Sequence, residues 1–206
     1  MTPIKINGLY AITPDTSDLD GLLVRAQACL AGGAHVIQYR NKTPGVPHLP
    51  MATALATLCR RYGVPLIIND DVELALAAGA NGVHLGRDDG DIASARQQLG
   101  SDSIIGVSCY GDLKHALDAQ RAGANYVAFG SMFASPTKPH APPAPLDLLT
   151  RAAAQLDVPI VAIGGITLQN AAEAIVAGAD AVAVISAVFD APDVKQAAQK
   201  FSNLFH

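Results

Sequence analysis

The stretch "AAGANGVHLG" at residues 77–86 sets the fold. It opens on an alanine-rich helix end, turns at Gly79 and runs into an apolar strand. Glycine tolerates the left-handed conformation that closes a helix. The same grammar occurs in "LAGGAHVIQYR" (30–40), "RAGANYVAFG" (121–130) and "VAGADAVAVIS" (176–186), anchored on Gly33, Gly123 and Gly178. Between these strands lie four more apolar runs: "GLYAIT", "VPLIIND", "SIIGVSC" and "VPIVAIGG". Helical patterns fill the gaps, at roughly 18–31, 48–62, 71–78, 91–99, 111–122, 146–156, 167–177 and 191–204. Strands buried on both faces read as continuous apolar runs, and alternating strands and helices imply a parallel sheet. Eight strand–helix units in 206 residues predict a single (β/α)8 TIM barrel spanning 1–206 as one catalytic domain, near the lower size limit of that fold. A doubly wound open sheet is the runner-up, but no GxGxxG follows the first strand.

Composition narrows the function classes. The chain is 50% hydrophobic and 16% charged, hence globular and not disordered. Net charge is −4 and no run of Lys or Arg occurs, which argues against nucleic acid and anionic membrane as partners. No basic start followed by a long apolar stretch suggests a signal peptide or a membrane span. Cys29, Cys59 and Cys109 are scattered and odd in number, as expected of reduced thiols in the cytoplasm serving as small buried hydrophobes. Whether the chain forms a homo-oligomer is left open.

In such a barrel, chemistry sits at the C-terminal ends of the strands. The second strand ends "IQYRNKT" (37–43). Alternation along a strand puts Gln38, Arg40 and Lys42 on one face, so two cations side by side require an anion. The third strand ends in Asn69, Asp70 and Asp71, the fourth leads to Asp88 and Asp89, and the fifth to Ser108. The seventh ends in Gly164-Gly165 and the eighth in Ile185-Ser186. Glycines after strand seven and a small residue after strand eight suit a phosphate held on backbone N–H groups; a plain tight turn is the alternative. Asp70 and Asp89 suggest one Mg²⁺ per site, held with phosphate oxygens and water. The alternative is helix capping, a role expected of Asp71 and Asp91. Residues 131–145 contain five prolines and are expected to form a lid carrying Ser135, Thr137 and Lys138, against a solvated loop. His84 reads as a hydrogen-bonded core residue, and His140 lies in the lid. No Ser-His-Asp grouping or nucleophile elbow occurs. Two phosphate sites in one mouth imply two substrates, with Lys138 covering a diphosphate that Gln38, Arg40 and Lys42 face.

The motifs "LYAITPD", "QYRNK", "IINDD", "GVHLG", "GVS", "SPTK", "IGGIT" and "VISAVF" run nearly the whole chain, which by them resembles the thiamine phosphate synthase family. The resemblance implies a transferase that couples a hydroxymethylpyrimidine diphosphate to a thiazole phosphate, releasing pyrophosphate. It implies that Gln38, Tyr39, Arg40, Asn41, Lys42, Asn69, Ser108 and Lys138 hold the pyrimidine diphosphate. Asp70 and Asp89 would ligate Mg²⁺. Ser135, Pro136, Thr137, Gly165, Ile185 and Ser186 would hold the thiazole phosphate. Arg40, Lys42, Ser108 and Lys138 would be the catalytic set. Ser135 stands where the family often has Thr, and Arg87 where Gln or Glu is common. A thiazole tautomerase, a Schiff-base aldolase using Lys42 and a non-catalytic phosphate-ligand binder are the alternatives.

Overall fold

A computed structural model describes residues 6–87, 89–134 and 144–206. The strands are β1 (Gly8–Ile12), β2 (Val36–Tyr39), β3 (Leu66–Asn69), β4 (Gly82–Leu85), β5 (Ile104–Tyr110), β6 (Tyr126–Phe129), β7 (Ile160–Ile163) and β8 (Ala181–Val184). They run in that order around a closed barrel, and β8 pairs in parallel with β1. The helices are α1 (Leu19–Ala31), α2 (His48–Tyr62), α3 (Val72–Ala78), α4 (Ile92–Leu99), α5 (Leu113–Arg121), α6 (Asp147–Ala153), α7 (Ala171–Val176), α8 (Ser186–Phe189) and α9 (Val194–Ser202). The expected barrel is therefore present. Among the described residues one α-helix is added to the expected eight: α8, a single turn inserted directly after β8. Among the described residues no helix is long and apolar enough to cross a membrane.

Local chemistry explains these boundaries. Asp18, Asp71, Asp91, Asp112 and Asp193 each cap a helix by accepting an N–H from its first turn, a contact worth about 1 kcal/mol. Asp71 and Asp91 thus take the capping role expected of them. The repeat carries a second device at the foot of the barrel. Asn81, Asn125 and Asp180, two residues beyond Gly79, Gly123 and Gly178, accept the backbone N–H groups of Leu66, Ile105 and Ile160. Each ties the start of one strand to that of a neighbour. The first repeat has His35 at this place, and its buried Nδ1 has no partner among the described residues.

Alternate strand residues divide into two cores. One set, including Leu9, Ile37, Ile68, Val83 and Val127, packs under the helices. The other, including Tyr10, Val36, Ile67, Tyr126, Val161 and Ala183, fills the barrel. Gly106 shows how tight that interior is: a Cβ there would lie 2.0 Å from the Tyr126 ring. The three cysteines are buried, and burial pushes each thiol up to about 12, so they behave as the expected small hydrophobes.

Candidate active site

β2 stops at Tyr39, so strand alternation does not continue through Lys42. Gln38 is buried inside the barrel, while Arg40 and Lys42 rise from the loop above it. Thr13, after β1, clamps that loop: its Oγ1 donates to the Arg40 carbonyl (2.8 Å) and accepts the Arg40 N–H (3.0 Å). Asp15 then accepts from Arg40 through both carboxylate oxygens, at 3.0 and 3.2 Å, and from the Lys42 N–H at 2.7 Å. Lys42 Nζ donates to Asp70 Oδ2 at 2.7 Å. Each cation of the motif therefore already faces a carboxylate, which relieves the repulsion between them.

Asp70 has φ +67°, a left-handed conformation that short polar side chains tolerate. Its N–H donates to the His84 carbonyl at 2.8 Å, and this turn aims its carboxylate across to Lys42 and Asp89. Asp89 is oriented by accepting the Gly86 N–H at 2.8 Å. Its carboxyl is pushed above the usual range, first by burial and then by the hydrogen bond and charge of Asp70 beside it. Two hard-oxygen carboxylates whose charges oppose each other suit a divalent cation. Among the described residues no third His, Cys, Asp or Glu joins them as a metal cluster, so remaining ligands would come from substrate and water. Asp88 lies outside the described residues. A cleft of about 770 Å³ opens here, lined by Asn41, Lys42, His48, Asn69, Asp70 and Asp89 among others. Tyr39 also lines it, but its hydroxyl faces His48 Nδ1 at 3.0 Å. Asn41 is engaged with the backbone of Thr16, accepting its N–H and donating to its carbonyl. Both shape the wall with their polar atoms already occupied.

On the opposite side, Gly164 and Gly165 have φ +96° and +65°. A Cβ on Gly165 would lie 2.3 Å from the Ala134 carbonyl oxygen, so the segment after β6 presses directly on this turn. Met132 donates its N–H to the Ile163 carbonyl (2.9 Å) and Phe133 to that of Gly164 (3.0 Å), and Ala144 closes the segment onto the Ser131 carbonyl (2.7 Å). The described ends of this segment are therefore tied to the end of β7 and to each other, which its proline content did not reveal. Ser135, Pro136, Thr137, Lys138 and His140 lie outside the described residues. Ile185 begins α8, accepting from Val188 and Phe189, and Ser186 is exposed at the mouth. First-turn amides of a helix have no intrahelical partner and are available to an anion.

A buried chain of polar groups crosses the barrel below this mouth. Gln38 Nε2 donates to the Tyr10 hydroxyl (2.8 Å), Tyr10 and Tyr126 hydroxyls meet at 2.7 Å, Tyr126 meets His84 Nδ1 at 2.9 Å, and His84 Nε2 meets Ser108 Oγ at 2.8 Å. Burial lowers His84 to about 4, so the imidazole is neutral. His84 is thus the hydrogen-bonded core residue expected, but its partner is Ser108 of the site. Thr13, Asp15, Tyr10 and Tyr126 had no assigned role in the sequence. The polar "TPDT" following β1 was the available signal for the first two. For the tyrosines it was their inward parity.

A barrel mouth with oppositely charged strand ends on one side and closely pressed glycines on the other defines a phosphate-handling (β/α)8-barrel enzyme. The thiamine monophosphate synthase model matches residues 9–188. The chain belongs to that family. It is 57% identical over 202 residues to the thiamine-phosphate synthase of Methylobacillus flagellatus, covering 98% of this chain and 96% of the relative. It is 54% identical to that of Nitrosospira multiformis, covering 98% and 86%. A thiamine phosphate pyrophosphorylase structure from Pyrococcus furiosus superposes with TM-score 0.85 at 35% identity, covering 98% of this chain and 95% of that one.

Proposed function

We propose that the chain couples 4-amino-2-methyl-5-hydroxymethylpyrimidine diphosphate to a thiazole phosphate, with or without its carboxylate, yielding thiamine phosphate and pyrophosphate. The observation that carries this reading is the Arg40–Asp15 and Lys42–Asp70 pairing beside Asp89. A diphosphate–metal pair would exchange with those ion pairs group for group.

Asp70 and Asp89 are the residues that would hold one Mg²⁺, which when bound neutralises charge on the departing diphosphate. Arg40 and Lys42 bind that diphosphate, joined by Lys138 as the family resemblance implies. Gln38, Asn69 and Ser108 orient the pyrimidine ring. The bond from the pyrimidine methylene to oxygen breaks with its electron pair leaving on diphosphate, and the aminopyrimidine delocalises the resulting cation. The thiazole nitrogen lone pair then forms the new C–N bond, and a carboxylated thiazole would lose CO₂. Gly165, Ile185 and Ser186, with Ser135, Pro136 and Thr137 by resemblance, anchor the thiazole phosphate and supply proximity. No protein nucleophile takes part. Lys42 is 55% exposed and ion-paired, unlike the desolvated lysine a Schiff-base aldolase needs.

The test is incubation with both substrates and Mg²⁺, following pyrophosphate and thiamine phosphate together. Stoichiometric release of both is expected. Isomerisation of the thiazole without pyrophosphate release would instead select the tautomerase, and tight binding without turnover the non-catalytic binder.

A further inference from the structure

Gln38 and Ser108, both placed against the pyrimidine in the reading above, are the two ends of one hydrogen-bonded chain through Tyr10, Tyr126 and His84. Each hydroxyl has a single proton and each neutral imidazole a single N–H, so the direction of one bond dictates the next. Gln38 Nε2 donates to Tyr10. The Tyr10 proton then goes to Tyr126, and the Tyr126 proton to His84 Nδ1. His84 carries its own proton on Nε2 and donates it to Ser108 Oγ. This leaves the Gln38 carbonyl oxygen and the Ser108 proton for a ligand. We infer that Tyr10, Tyr126 and His84 are positioning residues that lock Gln38 and Ser108 into opposite polarities, one acceptor and one donor, and so select a ring edge with an amino donor beside a nitrogen acceptor.

The chain runs in the opposite sense only if every link reverses together. The Gln38 amide must turn, and His84 must move its proton to Nδ1. Two ligand edges are therefore compatible, amino–nitrogen and, by wholesale reversal, oxo–NH. Edges with two acceptors or two donors leave a buried group unpaired, which is costly. Burial of all three internal members supports the lock, because water is not at hand to replace a missing link: Tyr10 is 1%, Tyr126 0% and His84 8% exposed.

The inference rests on the proposed function for the identity of the ring, but the lock itself can be read in the ligand-free protein. The measurement is ¹⁵N NMR of the His84 imidazole, which distinguishes the two neutral tautomers. Wild type is expected to be protonated at Nε2. Gln38→Glu offers only acceptor atoms to Tyr10, and should move the His84 proton to Nδ1. Tyr126→Phe keeps the ring but cuts the chain, so adding Gln38→Glu to it should no longer change the tautomer. An Nδ1–H tautomer in wild type overturns the inference, as does an unchanged tautomer in Gln38→Glu or an equal response with and without Tyr126. Wild type also provides an arm that needs no variant to fold: a 4-oxo pyrimidine diphosphate should drive His84 to Nδ1–H while the 4-amino compound leaves it at Nε2–H. No tautomer difference between the two bound compounds overturns the inference. In ligand binding, Tyr126→Phe should reduce the discrimination against pyrimidine edges with two acceptors or two donors about tenfold, the value of one buried hydrogen bond. Failure of either pyrimidine to bind or react counts against the proposed function alone, since the free-protein tautomers still decide the lock.

Discussion

Lys42 Nζ lies 2.7 Å from Asp70 Oδ2, an ion pair joining the loop after β2 to the end of β3. Both members are partly solvent-exposed, so the pair contributes little to stability. Its significance is competitive. A divalent cation draws Asp70 away from Lys42, and a diphosphate draws Lys42 away from Asp70. Each ligand removes the partner that the other must displace, so they should bind with positive coupling. Calorimetric titration of pyrophosphate with and without Mg²⁺ should show tighter binding with the metal. Equal affinity in both conditions would mean that the pair is not exchanged.

Asp70→Asn should lower turnover about a hundredfold or more, the several kcal/mol that metal neutralisation supplies. It should also weaken the coupling between Mg²⁺ and pyrophosphate. The left-handed backbone at Asp70 suits Asn, so thermal unfolding should barely move. Asp70→Val adds the left-handed penalty of roughly 1–2 kcal/mol, and its melting temperature should fall. Full activity in excess chelator would remove the metal from this account.

Arg40→Ala and Ser186→Glu separate the two phosphate sites. Arg40 and Asp15 are both partly exposed, so losing the pair should cost about 1 kcal/mol of stability or less. Pyrophosphate binding should weaken far more than thiazole phosphate binding. Ser186→Glu sets a carboxylate against the thiazole phosphate and should reverse that order. Equal weakening of both ligands by both substitutions would show that the sites are not divided in this way.

His84 links folding to pH. Its pKa falls from 6.5 to about 4 on burial, so the unfolded chain binds the extra proton between those values. The stabilisation is complete above the unfolded value and is lost as pH falls through the folded one, at most about 3 kcal/mol. Asp89, shifted upward, contributes with the opposite sign, and weakly because it is only half-buried. Urea unfolding at pH 7 and pH 4.5 should show a larger loss for wild type than for His84→Gln. Parallel losses would show that folding does not lower the His84 pKa.

Cys29, Cys59 and Cys109 should not react with an aromatic disulfide reagent at pH 8 in the folded protein, because all three are buried and held as thiols. All three should react on unfolding in urea. Fast labelling of the native chain would contradict this burial.

Reading the residues in order was enough to determine the barrel, because its signals are local. Gly33, Gly79, Gly123 and Gly178 all have positive φ in the structure, and Asp71 and Asp91 cap the helices that follow them. The helix spans fall within a few residues of their expected bounds, since apolar periodicity and capping each act within one or two turns. The motifs likewise placed Asp70, Asp89, Gly165 and Ser186 at strand ends on the mouth. What tertiary structure alone decided is who meets whom. β2 ends at Tyr39, so Gln38 turns into the barrel while Arg40 and Lys42 join Asp15 and Asp70 above it. The loop from Ser131 is pinned to β7 by backbone bonds that prolines do not announce. Tyr10 and Tyr126, 116 positions apart, share a hydrogen bond at 2.7 Å because closure of the barrel brings β1 and β6 face to face across its interior. Periodicity tells a side chain which way to point; only closure determines what it finds there.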